Sequence, residues 1–441
     1  MKKGTALAIA LLAWPLCVFA QQKPAPAIPP AVPPEPPRAD TSKTASTRIT
    51  LDEAIRLALQ HNHALLALRT TILQNQAQET TANLRPNPVI SWDTQFIPIF
   101  EPSNFTANYF ENDAQFDIGI SYLFERGKKR QHRLEAAKDA TAVTRAQVTD
   151  SERQLTFNVS QQFVNVLLAQ STVELAQQDH DSFQKTVEIS DARFKAGDMS
   201  EGDLLKIKLQ LLQFQSDVLT ANLSKVQALT ALRQEVGFES VPEDFDVEGD
   251  LDYTPVHASL DDLKLRALQT RPDLQAAHLG VKAAQSQESL AEANGKRDLN
   301  VSFDYTHTGS VNSAAFFFNI DLPIFDRNQG EIARTRYAIH QFEEQQSEAA
   351  EQVISDVVDA YQALRSNDQI IKLYRGGFVD DAQKSRDITE YAYRKGAASL
   401  LDFLDSERTY RANQLAYRQA LASYMTALEQ MRQAVGTRNL P

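Results

Sequence analysis

Leu299-Asn-Val-Ser-Phe-Asp-Tyr-Thr306 and, soon after it, Phe316-Phe-Phe-Asn-Ile-Asp-Leu322 carry the pattern that decides the fold. In the first, Leu299, Val301, Phe303 and Tyr305 alternate with Asn300, Ser302, Asp304 and Thr306; in the second, Phe316, Phe318, Ile320 and Leu322 alternate with Phe317, Asn319 and Asp321. Alternation of period two over roughly nine or ten residues predicts a strand with one apolar and one polar face. That length suits a tilted strand crossing a bilayer. The pattern has an earlier twin. Ile90, Trp92 and Phe96 alternate with Ser91, Asp93 and Gln95, and Phe116, Ile118, Ile120, Tyr122 and Phe124 with Gln115, Asp117, Gly119 and Ser121. Strands are therefore expected near 89–98, 114–124, 298–307 and 314–323. Two hairpins packed on a soluble core would alternate in the same way. The aromatic apolar faces, the Asp, Asn and Ser of the polar faces and the lack of further strand candidates favour lipid on one side and water on the other. Four strands cannot close a barrel, since the smallest membrane barrels have about eight, and an open edge in lipid leaves backbone groups unpaired. The reading thus requires an oligomer.

The twin pattern belongs to a duplication of the whole unit. Leu51-Asp52, Ala58-Leu59-Gln60, Leu65 and Ala67 recur 209 residues later as Leu260-Asp261, Ala267-Leu268-Gln269, Leu274 and Ala276. Ala228-Leu229 and Arg233-Gln234, Val236, Gly237 recur 199 residues later as Ala427-Leu428 and Arg432-Gln433, Val435, Gly436. The fall in offset places extra length in the first copy, as a loop around Ile99 to Asn112. Each copy reads long helix, two strands, long helix, with the first repeat at 48–250 and the second at 251–441. Between Gly127 and Gly197 there is neither Gly nor Pro, and an unbroken helix of that length reaches on the order of 100 Å. Leu155, Val159, Phe163 and Leu167, and later Leu421, Met425, Leu428, Met431 and Val435, form narrow apolar stripes suited to coiled-coil packing. Arg193-Phe-Lys-Ala-Gly197 and Tyr393-Arg-Lys-Gly396 mark matching reversals, with Gly where helices end.

Lys2 and Lys3, the apolar run Ala6 to Leu12 and the small residues up to Ala20 predict a cleaved secretion signal at 1–20. Pro15 and the shortness of the run argue against a spanning helix. Residues 21–47, containing Pro29-Pro-Ala-Val-Pro-Pro-Glu-Pro-Pro37, read as an extended flexible linker. Cys17, the only cysteine among 441 residues, lies inside the signal, so disulfides, thiolate metal sites and cysteine nucleophiles are excluded from the mature chain. A net charge of −12 argues against a nucleic-acid partner. No nucleophile elbow, phosphate-binding Gly loop or metal motif appears, so neither an enzyme nor a cofactor is expected. His61 and His63 are read on opposite sides of one helix, unsuited to a shared metal. The acids Glu243, Asp244, Asp246, Glu248, Asp250 and Asp252 are read as a solvated connector. Arg126, Lys128, Lys129 and Arg130 follow a strand, where a contact to lipid phosphates at the inner leaflet and an ordinary helix start are both consistent.

From about Thr50 to Gly436 the chain resembles the TolC-like outer-membrane factor family. The resemblance rests on Leu51-Asp-Glu-Ala-Ile with Ala58-Leu and His61-Asn62, although His63 stands where a proline is common; on Leu322-Pro-Ile-Phe-Asp-Arg-Asn-Gln-Gly330-Glu-Ile, which is similar to the cation-efflux branch represented by CzcC; and on Tyr393-Arg-Lys-Gly396-Ala-Ala-Ser399-Leu-Leu-Asp402-Phe-Leu-Asp405, similar to the family's tip motif. It implies a mainly α protein with membrane β-structure, a homotrimer in which four strands per chain make a twelve-stranded barrel continued by a long periplasmic α-helical barrel. It also implies partners: a periplasmic adaptor, an inner-membrane pump of the resistance-nodulation-division type, and outer-membrane lipid. The helix reversals become the gate. Asp402 and Asp405 match the paired tip aspartates, whose threefold rings would attract cations; Tyr393 matches the tip tyrosine and Asp203 its carboxylate partner. Ala398 stands where well-known members carry a gate arginine. The plainer reading of Asp402 and Asp405 is an acidic first turn favouring a helix N-terminus.

The implied function is an outer-membrane exit duct of a tripartite efflux pump, passing drugs or metal cations from the periplasm outward. The exit channel of a type I protein-secretion system is a close alternative. A soluble periplasmic coiled-coil adaptor is an alternative of another class, which would need lipoyl-like β modules between its helices.

Overall fold

A computed structural model describes residues 47–440. The expected signal at 1–20 and the Pro-rich linker lie outside the described residues, apart from Thr47. The first repeat begins with β1 (Arg48–Ile49), α1 (Leu51–His61) and α2 (His63–Ala82), then β2 (Val89–Gln95), α3 (Ala107–Asn112) and β3 (Gln115–Phe124), and continues through α4 (Lys129–Lys195) and α5 (Glu201–Val236). The second runs β4 (Asp246–Val247), α6 (Leu260–Thr270), α7 (Pro272–Asn294), β5 (Leu299–Thr308), β6 (Val311–Ile320), α8 (Gln329–Leu373), α9 (Val379–Arg394) and α10 (Leu400–Val435).

The four longer strands form one antiparallel sheet in the order β2-β3-β5-β6. Its register turns the sequence alternation into rows. Ile90, Ile120, Phe303 and Phe316 line up across the strands, as do Trp92, Ile118, Tyr305 and Ala314, all on the apolar face. Ser91, Gly119, Asp304 and Ala315, and Asp93, Asp117, Thr306 and Ser313, make the polar face. No described residue covers the apolar face: Trp92 is 78% exposed and Phe316 68%. Two expectations shift at the strand ends and one in the loop between them. The strand near 89–98 stops at Gln95 because Phe96 takes a left-handed backbone (φ 59) and Pro98 follows. The strand near 314–323 begins at Val311, because Gly309 (φ 58) allows a two-residue turn in which Thr308 pairs with Val311. The expected loop at Ile99 to Asn112 holds a 3-10 turn and α3, whose N-cap Thr106 accepts from the Tyr109 amide at 3.2 Å.

The 67 residues of α4 run about 100 Å without a break. Its counterpart in the second repeat is divided: a π-turn at Tyr374–Phe378, with Gly377 at φ 120, separates α8 from α9. Helix α4 packs against α2 and α7 over one part of its length and against α5 and α10 over another, while α8 packs on α7 and α10. Apolar burial comes in three separate clusters, as narrow stripes dictate. One gathers Ile55, Val159, Phe163, Leu232 and Val247, a second Leu263, Val357, Ile371, Tyr424 and Met431, and a third Phe183, Ile207, Phe214, Tyr393 and Phe403.

Two readings of the connecting segments are sharpened. Five of the six connector acids, Glu243, Asp244, Glu248, Asp250 and Asp252, are exposed as a solvated connector requires, but the segment is partly packed: Val241, Phe245 and Val247 are buried, β4 pairs in parallel with β1, and Asp246 accepts from Lys225 Nζ at 2.8 Å. The apolar residues between the acids anchor it. His61 and His63 lie on two helices, because Asn62 ends α1 and caps α2, its Oδ1 accepting from the Leu65 amide at 3.0 Å. In the second repeat Pro272 begins α7 at the corresponding break.

Candidate functional site: the helix reversals

The two reversals are built alike. At the end of α4 the Asp198 amide donates to Arg193 O at 2.9 Å and Gly197 sits at φ 85; at the end of α9 the Ala397 amide donates to Ala392 O at 2.8 Å and Gly396 sits at φ 74. The next helix then starts on a serine cap. The Asp203 amide donates to Ser200 Oγ at 3.1 Å, and the Asp402 amide to Ser399 Oγ at 3.1 Å. In each pair the serine hydroxyl donates back to the carboxylate, at 2.8 Å for Asp203 and 2.7 Å for Asp402. The hydrogen bond from Ser200, followed by that from Lys206, holds the Asp203 carboxyl below the usual range, as the side chain and then the backbone of Ser399 do for Asp402.

Asp203 and Asp402 are therefore structural counterparts, each hydrogen-bonded to the serine that caps its helix. The acidic-first-turn reading holds for Asp402, whose carboxylate is part of a complete capping box. Asp405 differs. It is exposed, makes no ion pair among the described residues, and stands where the first repeat has Lys206, which pairs with Asp203 at 3.3 Å. Tyr393 and Asp203 are not brought together within this chain. The Tyr393 ring is buried, stacked on Phe403 at 5.1 Å with Arg193 5.5 Å above it, and its hydroxyl has no hydrogen-bond partner among the described residues.

Behind the reversals lies a polar node that the sequence reading missed. Arg411 on α10 donates to Asp179 on α4 at 3.2 Å and to Asp217 on α5, and its guanidinium lies 4.2 Å from the centre of the Phe214 ring. Asp179 is 5% exposed, and burial raises its carboxyl despite Arg411. Close by, Glu407 is 6% exposed and burial pushes it up to about 7, with Arg386 only as near as 4.0 Å. A signal existed: Asp179 falls on the apolar stripe between Leu175 and Phe183, both buried. A carboxylate there needs a partner from another helix.

The arrangement joins an uncovered apolar sheet to long helices that end in charged reversals. Among the described residues no group of three or more His, Cys, Asp or Glu is placed to hold a metal ion. The sequence profile of outer membrane efflux proteins matches residues 54–237 and 265–437, one stretch in each repeat. The chain belongs to the outer membrane efflux protein family. Among curated relatives it is 26% identical over 400 residues to the cobalt-zinc-cadmium resistance protein CzcC of Cupriavidus metallidurans, covering 90% of each chain. It is 21% identical over 350 residues to nodulation protein T of Rhizobium leguminosarum bv. trifolii, covering 75% of this chain and 73% of that one. Among solved structures, CusC superimposes with a TM-score of 0.73 at 18% identity, covering 90% of this chain and 96% of the other. The open MtrE outer membrane channel of Neisseria gonorrhoeae gives a TM-score of 0.72 at 19% identity, over 88% and 89%. These likenesses extend the family assignment to the fold. Membership identifies an outer-membrane efflux protein, and the soluble adaptor alternative falls with it.

Proposed function

We propose that the protein is the outer-membrane exit duct of a tripartite pump. Three copies place their four strands in one twelve-stranded barrel, and the helices continue it into the periplasm as an α-helical tunnel. The observation that carries this reading is the sheet: β2 and β6 are open edges beside an exposed aromatic face. In lipid an unpaired edge is too costly to persist, and identical copies supply the missing pairing. The two repeats, 48–250 and 251–441, each contribute one hairpin and two helical strands to the wall.

The reversals form the periplasmic gate. Asp405 supplies the ring of charge that meets a passing cation, because the fold leaves its carboxylate unused. Asp402 and Tyr393 shape the turn that presents it, and Asp203 shapes the matching turn of the first repeat. A periplasmic adaptor and an inner-membrane transporter of the resistance-nodulation-division type open this end, and drugs or metal cations leave unchanged. The relationship to a cobalt-zinc-cadmium resistance protein supports metal cations as cargo. Membrane fractionation followed by planar-bilayer recording tests the reading: a trimer in the outer-membrane fraction that conducts in discrete steps is expected, and a soluble, non-conducting chain would overturn it.

A further inference from the structure

At the end of the sheet where all four strands meet the helices, a recess of about 270 Å³ opens between the end of β3 and the start of α4. Arg85, Lys128 and Arg130 line it together with Tyr122 and Phe124. Its one carboxylate, Glu125, is taken by Arg133, and Lys129 is taken by Asp298 at 2.7 Å. Arg85, Lys128 and Arg130 make no ion pair among the described residues. Three cations thus converge without a structural counter-charge. Tyr122 and Phe124, packed edge to face at 4.8 Å, lead from the recess onto the apolar face, where Tyr122 aligns with Val301 and Phe318, and Phe124 with Leu299 and Ile320.

The duplication supplies an internal control. Lys128 caps α4 with a left-handed backbone at φ 60, ψ 27, and Asn328 caps α8 at φ 61, ψ 23. The two caps share a left-handed backbone, although Gly127 before Lys128 is also left-handed (φ 70) and Arg327 before Asn328 is not, and the junctions differ in charge: Arg126-Gly-Lys-Lys-Arg130 in one, Asp326-Arg-Asn-Gln-Gly330 in the other. Asparagine is enriched several-fold in that conformation, and lysine is not. Folding alone therefore asks for the second repeat's residue. The first repeat keeps a cation where the backbone disfavours one, and sets two more beside it.

We propose that this recess binds the phosphate of a phospholipid headgroup from the membrane leaflet facing the periplasm. Arg85, Lys128 and Arg130 contact the phosphate, and the acyl chains follow Tyr122 and Phe124 up the apolar face. The charge selects a phosphate, and the adjoining aromatic face selects the lipid form over the free ion. The inference rests on the reading that the sheet lies in the outer membrane, and it assigns one lipid position to one repeat.

The test uses the full chain in a non-ionic detergent, with fluorescent dioctanoyl-phosphatidylglycerol as the probe. Near a membrane surface each basic residue is worth about a fivefold change in lipid affinity. Lys128→Asn should therefore weaken binding about fivefold, and Lys128→Asn with Arg130→Gln about 25-fold. The thermal transition should stay in place or rise, since asparagine suits the left-handed backbone. Dioctanoylglycerol, which lacks the phosphate, should not displace the probe, and neither should inorganic phosphate at the same concentration. Binding by the double variant within twofold of the parent would overturn the proposal, and so would equal displacement by inorganic phosphate, which would make this a free-anion site. A parent chain that remains in the soluble fraction would instead refute the membrane reading beneath it.

Discussion

Replacing Glu407 with glutamine should stabilise the protein above neutral pH and remove a pH dependence that the parent carries. The carboxyl faces Arg386 and Glu390 from α9, Asp179 from α4, and Arg411 and Tyr410 on its own helix, and burial outweighs the two cations. Its folded-state value of about 7 lies above the ordinary 4.5. Below 4.5 the group is protonated whether the chain is folded or not, and there is no penalty. As pH rises from 4.5 towards 7 the unfolded chain releases the proton and the folded chain retains it, so stability falls; above 7 the full penalty applies. At about 1.4 kcal/mol for each tenfold change in proton affinity, the penalty is about 3 kcal/mol. The Glu407→Gln side chain would keep the shape and lose the charge. Arg386 would lose a counter-ion at 4.0 Å but keep Asp387 at 2.9 Å, so a net gain of about 2–3 kcal/mol at pH 8 is expected. At roughly 1–2 °C per kcal/mol for a chain of this length, the melting transition followed by helical circular dichroism should rise by about 4 °C at pH 8 and coincide with the parent near pH 4.5. A variant that melts lower at pH 8, or retains the parent's slope between pH 5 and 7, would refute the assignment of that slope to Glu407.

Arg411→Met should cost about 3–5 kcal/mol, because it leaves Asp179 and Asp217 without their shared cation, and limited proteolysis should then cut first near the reversals. Asp405→Asn should lower cation-over-anion permeability in planar bilayers and leave the melting transition unchanged, whereas Asp402→Ala should lower that transition by removing a cap. For the parent, the cap formed by Asp402 is intact across the ordinary carboxylate range and is lost only as pH falls through its depressed value, so the tips should loosen in acid alone. Gly119→Ala should force the Asp304 carboxylate to rotate, since an added Cβ would lie 1.9 Å from Asp304 Oδ1, and should lower stability, read from the melting transition, by no more than about 1 kcal/mol because the groups that must move are side-chain ends on the polar face.

The local chemistry of the strands and helices was largely legible along the chain. Alternation of period two marks the same face of a pleated strand wherever it occurs, so Ile118 and Phe303 declared their side of the sheet without any knowledge of their neighbours. The stretch free of Gly and Pro between Gly127 and Gly197 likewise specifies a long helix by local propensity. Strand ends were less legible. Phe96 leaves the β region, and Val311 enters the ladder, through turn geometry and cross-strand register, which no single segment encodes.

What sequence by itself determined, then, was the repeating unit, its helix and strand types, and the two reversals with their glycines: each depends on residues within a few positions of one another. Tertiary structure decided which charges are used. It tied Asp203 and Asp402 each to the serine that caps its helix, with a complete capping box only at Asp402, and left Asp405 without an ion pair among the described residues. It brought Asp179, Asp217 and Arg411 together from three helices, and it buried Tyr393 away from Asp203. It also left Arg85, Lys128 and Arg130 without ion-pair partners among the described residues, around one recess. Whether a charge is neutralised depends on groups within a few ångströms in space, often on helices hundreds of residues apart in the chain, and a charge read in sequence alone carries no record of that neighbour.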